Sequence, residues 1–394
     1  MKKIVLVSPF PPSQNPRLVK EYNAFRSNGY QVKVLYAVRD QWSASHEVNE
    51  DFILVGGKHS SFAHFFSRVI HKFAKRFLAY EFNYHRASLL LLWKALRTKA
   101  DLYIGHDLTS LPIVVRAAKK NKAKCGFDAE DFHRNEVSND KNSYFYKSVK
   151  TVEDKYINQV DYLTCASPLI SQEYQKLYPS LKPITINNVF PSKHIPNIIE
   201  LENENLKLFW FSQTLGKNRG LETVFTALST IKDPRLNLTL VGFGDEITLD
   251  YFNELIRTTQ LYDGQIKILQ PVSPEKLFDL AKSQDIGLAL EPGFSRNNEI
   301  ALSNKIFTYL ISGLAIIVTE TAAQNKFITE NPSVGKSFKI DCPNELAEIL
   351  KSYLLDTDKL NQHRNAAKKI AEEKFNWEKE SEKLLSLIKT SIEN

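Results

Sequence analysis

Short stretches rich in Val, Ile and Leu alternate with amphipathic helical segments along almost the whole chain, and the alternation runs twice. KKIVLVS (residues 2–8) leads to a helical pattern from about Leu18 to Ser27, then Gly29 and QVKVLYA. After a basic region come DLYIGHD, a helix from about Leu111 to Lys120, KCGFDAED and a helix from about Tyr144 to Asn158. DYLTCAS, a helix from about Ile170 to Leu177 and PITINNV follow. Pro191, Pro196 and the acidic, Asn-rich stretch Glu200–Asn205 read as a linker. The pattern then restarts with LKLFWFS, a helix from about Leu221 to Leu228, LNLTLVGFG, a helix over Thr248–Thr259 and IKILQP. A helix opened by Ser273 and Pro274, DIGLALE, a further helix, LAIIVTE and helices from about Asn344 and Gln362 complete it. Strands that are apolar along their length and separated by helices predict parallel sheets covered on both faces. The expected class is α/β, with two doubly wound, Rossmann-like domains over residues 1–195 and 206–375. Sheets of this kind bind ligands at their C-terminal edges, so two of them predict a cleft between those edges.

Composition narrows the classes without choosing one. At 394 residues, 43% hydrophobic and 25% charged, the chain is an ordinary globular one. No apolar run approaches the roughly 18 residues of a spanning helix. The first run, Ile4–Val7, is shorter than the apolar core of a secretory signal, about 7–15 residues, and reads as a strand. Cys125, Cys165 and Cys342 are scattered without metal spacing, which fits a reduced, cytoplasmic protein.

The formal charge of +7 is unevenly spread, because residues 58–99 hold nine Lys/Arg and four His against one acid, Glu81. Phe62, Phe65, Phe66, Val69, Phe73 and Phe77 recur there at helical spacing. Such a helix can turn its aromatic stripe into the core with a solvated basic back, the commoner arrangement. It can also lie on an anionic membrane surface, which would put the protein at the inner face of a membrane. No nucleic-acid motif accompanies the charge.

The segment ALSNKIFTYLISGLAIIVTE (301–320) carries the strongest chemical signal. Ser303, Asn304 and Lys305 open a helix that Gly313 closes. A helix N-terminus has unpaired N–H groups and partial positive charge, so Lys305 opposes the dipole unless an anion sits between them. A bound phosphate is the expected anion; a solvated lysine is the alternative. WFSQTLGKNRGLE (210–222) runs from a strand through Gly216 and Gly220 into a helix, with Lys217 and Arg219 at its mouth. Such a loop can hold a diphosphate. VGFGDE supplies Gly242 and Gly244, a weak signal alone. The first loop, SPFPPSQNPR, has no glycine, which argues against a dinucleotide-binding dehydrogenase. His106 and Asp107 end one strand of the first half, and Asp128, Glu130 and Asp131 end another. Carboxylates there can bind hydroxyls, assist proton transfer or cap helices. No metal cluster is visible.

With these pieces in order, the chain resembles retaining glycosyltransferases of family 4 with the GT-B fold. QTLGKNRGLE, the VGFG turn, LQPVSPEKL and NKIFTYLISGLAIIV resemble that family's second domain, and FNWEKESEKLL its final helix. The resemblance implies that a C-terminal helix of about 376–394 completes the first domain. It implies a nucleotide-diphosphate sugar held by the second domain and a saccharide or lipid-linked saccharide acceptor met by the first, as in cell-surface polysaccharide or glycolipid synthesis. No cofactor or metal is expected. Arg219 and Lys305 would act on the diphosphate, with Thr214, Lys217, Gly242, Ser303 and Asn304 around the donor. Gln270 and Val272 would lie against the base, Glu299 would reach the donor sugar, and Thr308 would meet the ribose. His106 and Glu130 would act at the acceptor side, with Asp107, Asp128 and Asp131 beside them. Thr308 stands where the family has a glutamate, Glu130 stands where a histidine is common, and the basic pair of the loop is compressed onto Arg219. The helix alignment puts the family's glutamate pair at Ile300 and Thr308, so the spacing of Glu291 and Glu299 reads as coincidence. A nucleotide-sugar epimerase of the same build and a noncatalytic nucleotide-sugar-binding protein are the alternative readings.

Overall fold

Each half of the chain builds one parallel sheet. The structure is a computed structural model that describes residues 1–38, 49–77, 80–197 and 205–393. It divides into a first unit, residues 1–187 with 295–297 and 381–394, and a second, residues 188–294 with 298–380.

In the first unit β1 (Lys3–Ser8), α1 (Pro16–Ser27), β2 (Gln31–Tyr36), β3 (Phe52–Leu54), α2 (Phe62–Phe77) and α3 (Ser88–Arg97) come first. They are followed by β4 (Leu102–His106), α4 (Leu111–Asn121), β5 (Lys124–Ala129), α5 (Tyr144–Tyr156), β6 (Tyr162–Cys165), α6 (Pro168–Leu177) and β7 (Ile184–Thr185). The sheet order is β3-β2-β1-β4-β5-β6-β7, parallel throughout. Central β4 is buried at every residue, as a strand covered on both faces must be. Asn15 starts α1 by accepting the Leu18 N–H at 3.0 Å, with Pro16 at the first helical position.

The second unit repeats the plan with β8 (Leu206–Thr214), α7 (Leu221–Ile231), β9 (Leu236–Phe243), α8 (Glu246–Thr258), β10 (Ile266–Leu269) and α9 (Pro274–Lys282). Then come β11 (Ile286–Ala289), the short α10 (Arg296–Ile300), α11 (Asn304–Ile311), β12 (Ala315–Thr319), α12 (Ala322–Glu330) and β13 (Gly335–Phe338). The last helices are α13 (Pro343–Leu355), α14 (Thr357–Glu373) and α15 (Trp377–Glu393). The sheet order is β10-β9-β8-β11-β12-β13, again all parallel. Leu208, Trp210, Leu240, Leu288 and Ile317 belong to its core.

The division falls at residue 187, before the prolines read as linker. Those prolines belong to the second unit because hydrogen bonds tie their neighbours to the start of α15. The Trp377 N–H donates to the Phe190 carbonyl at 2.9 Å, and the Ser192 N–H to the Glu378 carboxylate at 3.0 Å. Residues 200–204 of the predicted linker lie outside the described residues. The C-terminal helix joins the first unit only from Ser381 onward.

One packing detail sets the position of α11. A Cβ at Gly287 in β11 would lie 2.1 Å from the ring of Tyr309, so the bare strand lets that ring lie against it. The Tyr309 hydroxyl then donates to the Leu288 carbonyl at 2.9 Å. The contact pins the helix so that its first turn lands at the end of β11. Gly287→Ala should therefore overpack the strand and cost about 1–3 kcal/mol. Thermal unfolding reads this directly; an unchanged melting temperature would mean that the ring contact yields freely.

Candidate functional site

In a doubly wound sheet the crevice for a ligand opens where strand order reverses, beyond the C-terminal ends of two neighbouring strands. In the second unit that point lies between β8 and β11. The loop after β8 ends at Gly220, whose φ is +79°, and a Cβ there would stand 2.9 Å from the Leu290 Cβ. Glycine thus permits the left-handed turn that starts α7 and the close approach of the two loops. Asn218, Gly220, Thr223, Glu291, Thr319 and Asp341 line one cavity of about 140 Å³.

Glu291 organises this edge. It accepts hydrogen bonds from the Lys305 ammonium at 2.8 Å, the Ser303 hydroxyl at 2.8 Å and the Asn298 amide at 3.2 Å. Burial pushes its pKa up, but the Lys305 charge and these three donors outweigh that and hold it below the usual carboxylate range. The Lys305 ammonium also lies 5.9 Å from the Trp210 ring centroid. The anion that reconciles Lys305 with the helix dipole is therefore Glu291, where the sequence led us to expect a phosphate. Glu299 is occupied elsewhere: its carboxylate accepts the Ala322 N–H at 3.0 Å, at the start of α12.

The remaining second-unit residues fall into three groups. Arg219 lies along the end of β8, its guanidinium donating to Ser212 Oγ at 2.7 Å and Thr214 Oγ1 at 3.3 Å. Lys217 is exposed, with its ammonium 4.3 Å from the Tyr251 ring centroid, and a Cβ on Gly242 would sit 3.0 Å from the Ser212 carbonyl. Asn304 is exposed at the first position of α11. Gln270 and Val272 line a groove of about 520 Å³ with Leu269, Pro271 and Leu280. Thr308 requires a correction. It is 1% exposed and its hydroxyl donates to the Asn304 carbonyl at 3.3 Å, so it presents nothing to a ribose.

In the first unit the reversal lies between β1 and β4. Pro9 and Phe10 after β1, and Asp107 after β4, line a cavity of about 420 Å³ together with His133 and Glu136. Asp107 has φ +68° and ψ 152°, a region that non-glycine residues rarely occupy. Its side chain accepts the Thr109 N–H at 2.9 Å and its carbonyl accepts the Ser110 hydroxyl at 2.6 Å, which hold the turn. Burial raises the Asp107 pKa.

His133 was not among the residues read from sequence. Its Nδ1 lies 3.2 Å from the Glu136 carboxylate, while its Nε2 has no hydrogen-bond partner among the described residues. Burial lowers the imidazole pKa, but Glu136, Asp107 and Asp131 more than reverse this and raise it to about 10. Arg134, next in the chain, anchors the loop by donating to Glu153 at 2.5 Å and by bonding Asp154 and Tyr178. Asp131 accepts the Asn297 amide at 2.8 Å; desolvation and the Glu136 charge raise its pKa to about 6.

His106 and Asp128 lie inside the first unit. Both are fully buried, and the Arg17 guanidinium donates to both Asp128 oxygens at 2.5 and 2.8 Å. His106 lies 3.3 Å from Glu21, 3.5 Å from Asp128 and 3.3 Å from Glu130. Burial lowers its pKa, yet these three carboxylates raise it well above the usual value. Glu130 accepts the Asn15 amide at 2.8 Å and keeps its side chain 30% exposed. The expectation of His106 and Asp128 at the acceptor is corrected: they form a core ion network. Glu21, His106 and Asp128 are close enough to hold a cation, but Arg17 already takes both Asp128 oxygens.

Comparison with known proteins agrees with this fold. A family model described as glycosyl transferase-like matches residues 222–386. No curated protein matches the chain. Among solved structures, the chain is similar to sucrose-phosphate synthase from Thermosynechococcus elongatus, with a TM-score of 0.77 at 12% identity over 99% of both chains. It is similar to HepE of Anabaena in complex with UDP, with a TM-score of 0.72 at 12% identity over 99% of this chain and 100% of that one. A Listeria monocytogenes protein assigned as a UDP-N-acetylglucosamine 2-epimerase gives 0.62 at 11% identity, over 100% and 97%. The fold is thus GT-B, two Rossmann-like domains, as expected.

The raised pKa of His133 has a consequence for stability. Its pairing stabilises the fold fully below the unfolded value of about 6.5 and is lost as pH rises through about 10. In urea denaturation, the stability gap between wild type and His133→Gln should shrink between pH 7 and 10.5. A gap that stays constant would place the proton elsewhere.

Proposed function

We propose that the protein is a retaining glycosyltransferase that moves a sugar from a nucleotide-diphosphate sugar to a hydroxyl of a saccharide or lipid-linked saccharide. The reading rests most on one observation: the glycine loop before α7 and the Glu291–Lys305 turn before α11 line or flank one crevice at the reversal of the second sheet. The nucleotide diphosphate would lie there, and the apolar groove at Gln270 and Val272 would take the base. The first-unit cavity at Asp107 and His133 would take the acceptor.

As the bond from the anomeric carbon to the diphosphate oxygen breaks, negative charge grows on the leaving group. Arg219 would release Ser212 and Thr214 to meet it, and Lys305 would share its ammonium between Glu291 and the phosphate. Backbone N–H groups at the start of α11 add to this field. Such donors lower the barrier because they bind the transition state more strongly than the ground state. The acceptor oxygen forms the new bond on the face the diphosphate leaves, and its proton passes to the departing phosphate oxygen. Asn298 and Ser303 keep Glu291 oriented, and through it the lysine.

Arg219→Ala should lose about 3 kcal/mol of transition-state stabilisation, roughly a hundredfold in rate, with the fold intact. Wild-type turnover in that variant would remove Arg219 from the chemistry. No divalent metal is needed in this scheme, so activity should persist in EDTA; loss that manganese restores would refute that part. The epimerase alternative gains from the shared fold of the Listeria protein. Nucleotide release from a panel of UDP-, GDP-, ADP- and TDP-sugars separates the readings. Release that depends on acceptor supports transfer, whereas free nucleotide without acceptor supports epimerisation. Binding without release supports a noncatalytic protein. A cytoplasmic site of action is part of the proposal, and the three free cysteines, two of them buried, suit a reducing compartment.

A further inference from the structure

Helix α2 is built inside out. Phe62, Phe65, Phe66, Val69 and Phe73 recur at intervals of three and four residues, which puts them on one face of an α-helix. That face points to solvent: Phe62 is 84% exposed, Phe65 63%, Phe66 52% and Phe73 65%. The sequence led us to expect this stripe against the core; instead the opposite face, His64 and Ser67, is buried. The reason lies in what the first unit offers that helix. Arg86 donates to Ser67 Oγ at 2.5 Å and to the Gly56 carbonyl at 2.8 Å, and the Ser67 hydroxyl donates to the His64 carbonyl at 2.7 Å. The protein side of α2 is therefore a polar seam, and the aromatic face turns away from it. The side chains of Arg76 and Phe77 lie outside the described residues.

Charge identifies the occupant. Arg68, Lys72 and Lys75 are exposed on one flank of the aromatic stripe. Residues 58–99 carry nine Lys/Arg and one acid, and that acid, Glu81, is engaged by Arg116 at 2.6 Å and Lys155 at 3.1 Å. Little exposed negative charge remains in the segment to pair with its cations. We infer that α2 docks on an anionic lipid surface, with the phenylalanine stripe in the boundary between acyl chains and headgroups and the flanking cations among the phosphates. A helix lying in the interface plane needs such a stripe of large apolar side chains beside a basic flank. A soluble monomer otherwise rarely leaves so continuous an aromatic patch in water. Among the described residues no helix is long and apolar enough to cross a membrane, so the contact is peripheral. Lys75 of this helix also lines the 420 Å³ cavity with Asp107 and His133, so the docked face borders the cavity assigned above to the acceptor.

The test uses the full chain and sucrose-loaded vesicles of phosphatidylcholine alone or with about one-third phosphatidylglycerol. The wild type should sediment with the anionic vesicles, at least tenfold more than with neutral ones, and less so at high salt. The triple variant Phe65→Ser, Phe66→Ser, Phe73→Ser should lose that binding by tenfold or more. Arg68→Glu with Lys72→Glu should lose the preference for anionic lipid. Circular dichroism and UDP or GDP binding by calorimetry, measured on every variant, should be unchanged. Equal binding to both vesicle types, or none, would overturn the inference, as would a concentration-dependent dimer that the phenylalanine variant abolishes. The vesicle readout needs no turnover, so it fails or succeeds independently of the proposed transfer reaction.

Discussion

The Glu291 carboxylate is the contact on which the second unit's site depends. A lysine in the first turn of α11 is electrostatically misplaced until an acceptor neutralises it, and the end of β11 supplies one 2.8 Å away. The arrangement needs α11 held in register with β11, which Gly287 makes possible by leaving room for Tyr309. It also needs the loop before α7 close by, which Gly220 makes possible against Leu290. Two glycines that carry no chemistry thus determine where a charged pair can stand. The pair is largely buried, with side-chain exposures of 16% and 18%, so its geometry is set by packing and hydrogen bonds rather than by loose surface attraction.

Much of the fold was legible because apolar strands and intervening helices have periodicities that no other arrangement satisfies. The two sheets and the starts of α7 and α9 follow directly from it, the latter from Ser273 accepting the Lys276 N–H with Pro274 behind it. The edge strands β3 and β13 were not read, because three or four residues carry too little period to stand out, and the nine-residue helix α12 was missed as well. Side-chain roles were less legible, since they depend on neighbours far apart in sequence. His106 looked like a residue at a strand end facing ligand, but the chain brings Arg17, Glu21 and Asp128 around it. Thr308 looked like a substitute for a carboxylate, but the helix takes its hydroxyl inward. Glu291 looked incidental because a linear spacing hides the helix that folds Lys305 back onto it.

The same limit explains α2. A helical stripe of phenylalanines tells which residues share a face, and nothing in that pattern says which way the face turns. Orientation was decided by Arg86, about twenty residues downstream, whose guanidinium bonds the Ser67 side and the Gly56 carbonyl. A half-buried guanidinium still needs acceptors, and Ser67 of α2 with the Val38 and Gly56 carbonyls provides them. Once that demand is met, the aromatic side is the one turned outward.

The first unit's two histidines are both buried and both carry raised pKa values, yet their ring nitrogens are paired differently. His106 has a carboxylate oxygen within 3.5 Å of each ring nitrogen, all packed inside the first unit. Removing one member of such a network leaves an uncompensated charge in the core, which is why its members act as a unit. His133 is paired at Nδ1 alone, and its Nε2 belongs to a residue that lines a cavity. The His106 network lies at the ends of β4 and β5, where His106 and Asp128 are register partners, and ties β5 to α1 through Arg17. The strained turn at Asp107 and the loop carrying His133 begin where those strands stop. A buried ion cluster anchors the strand ends, and an unsatisfied polar atom beside a cavity, such as His133 Nε2, is what a hydroxyl can use.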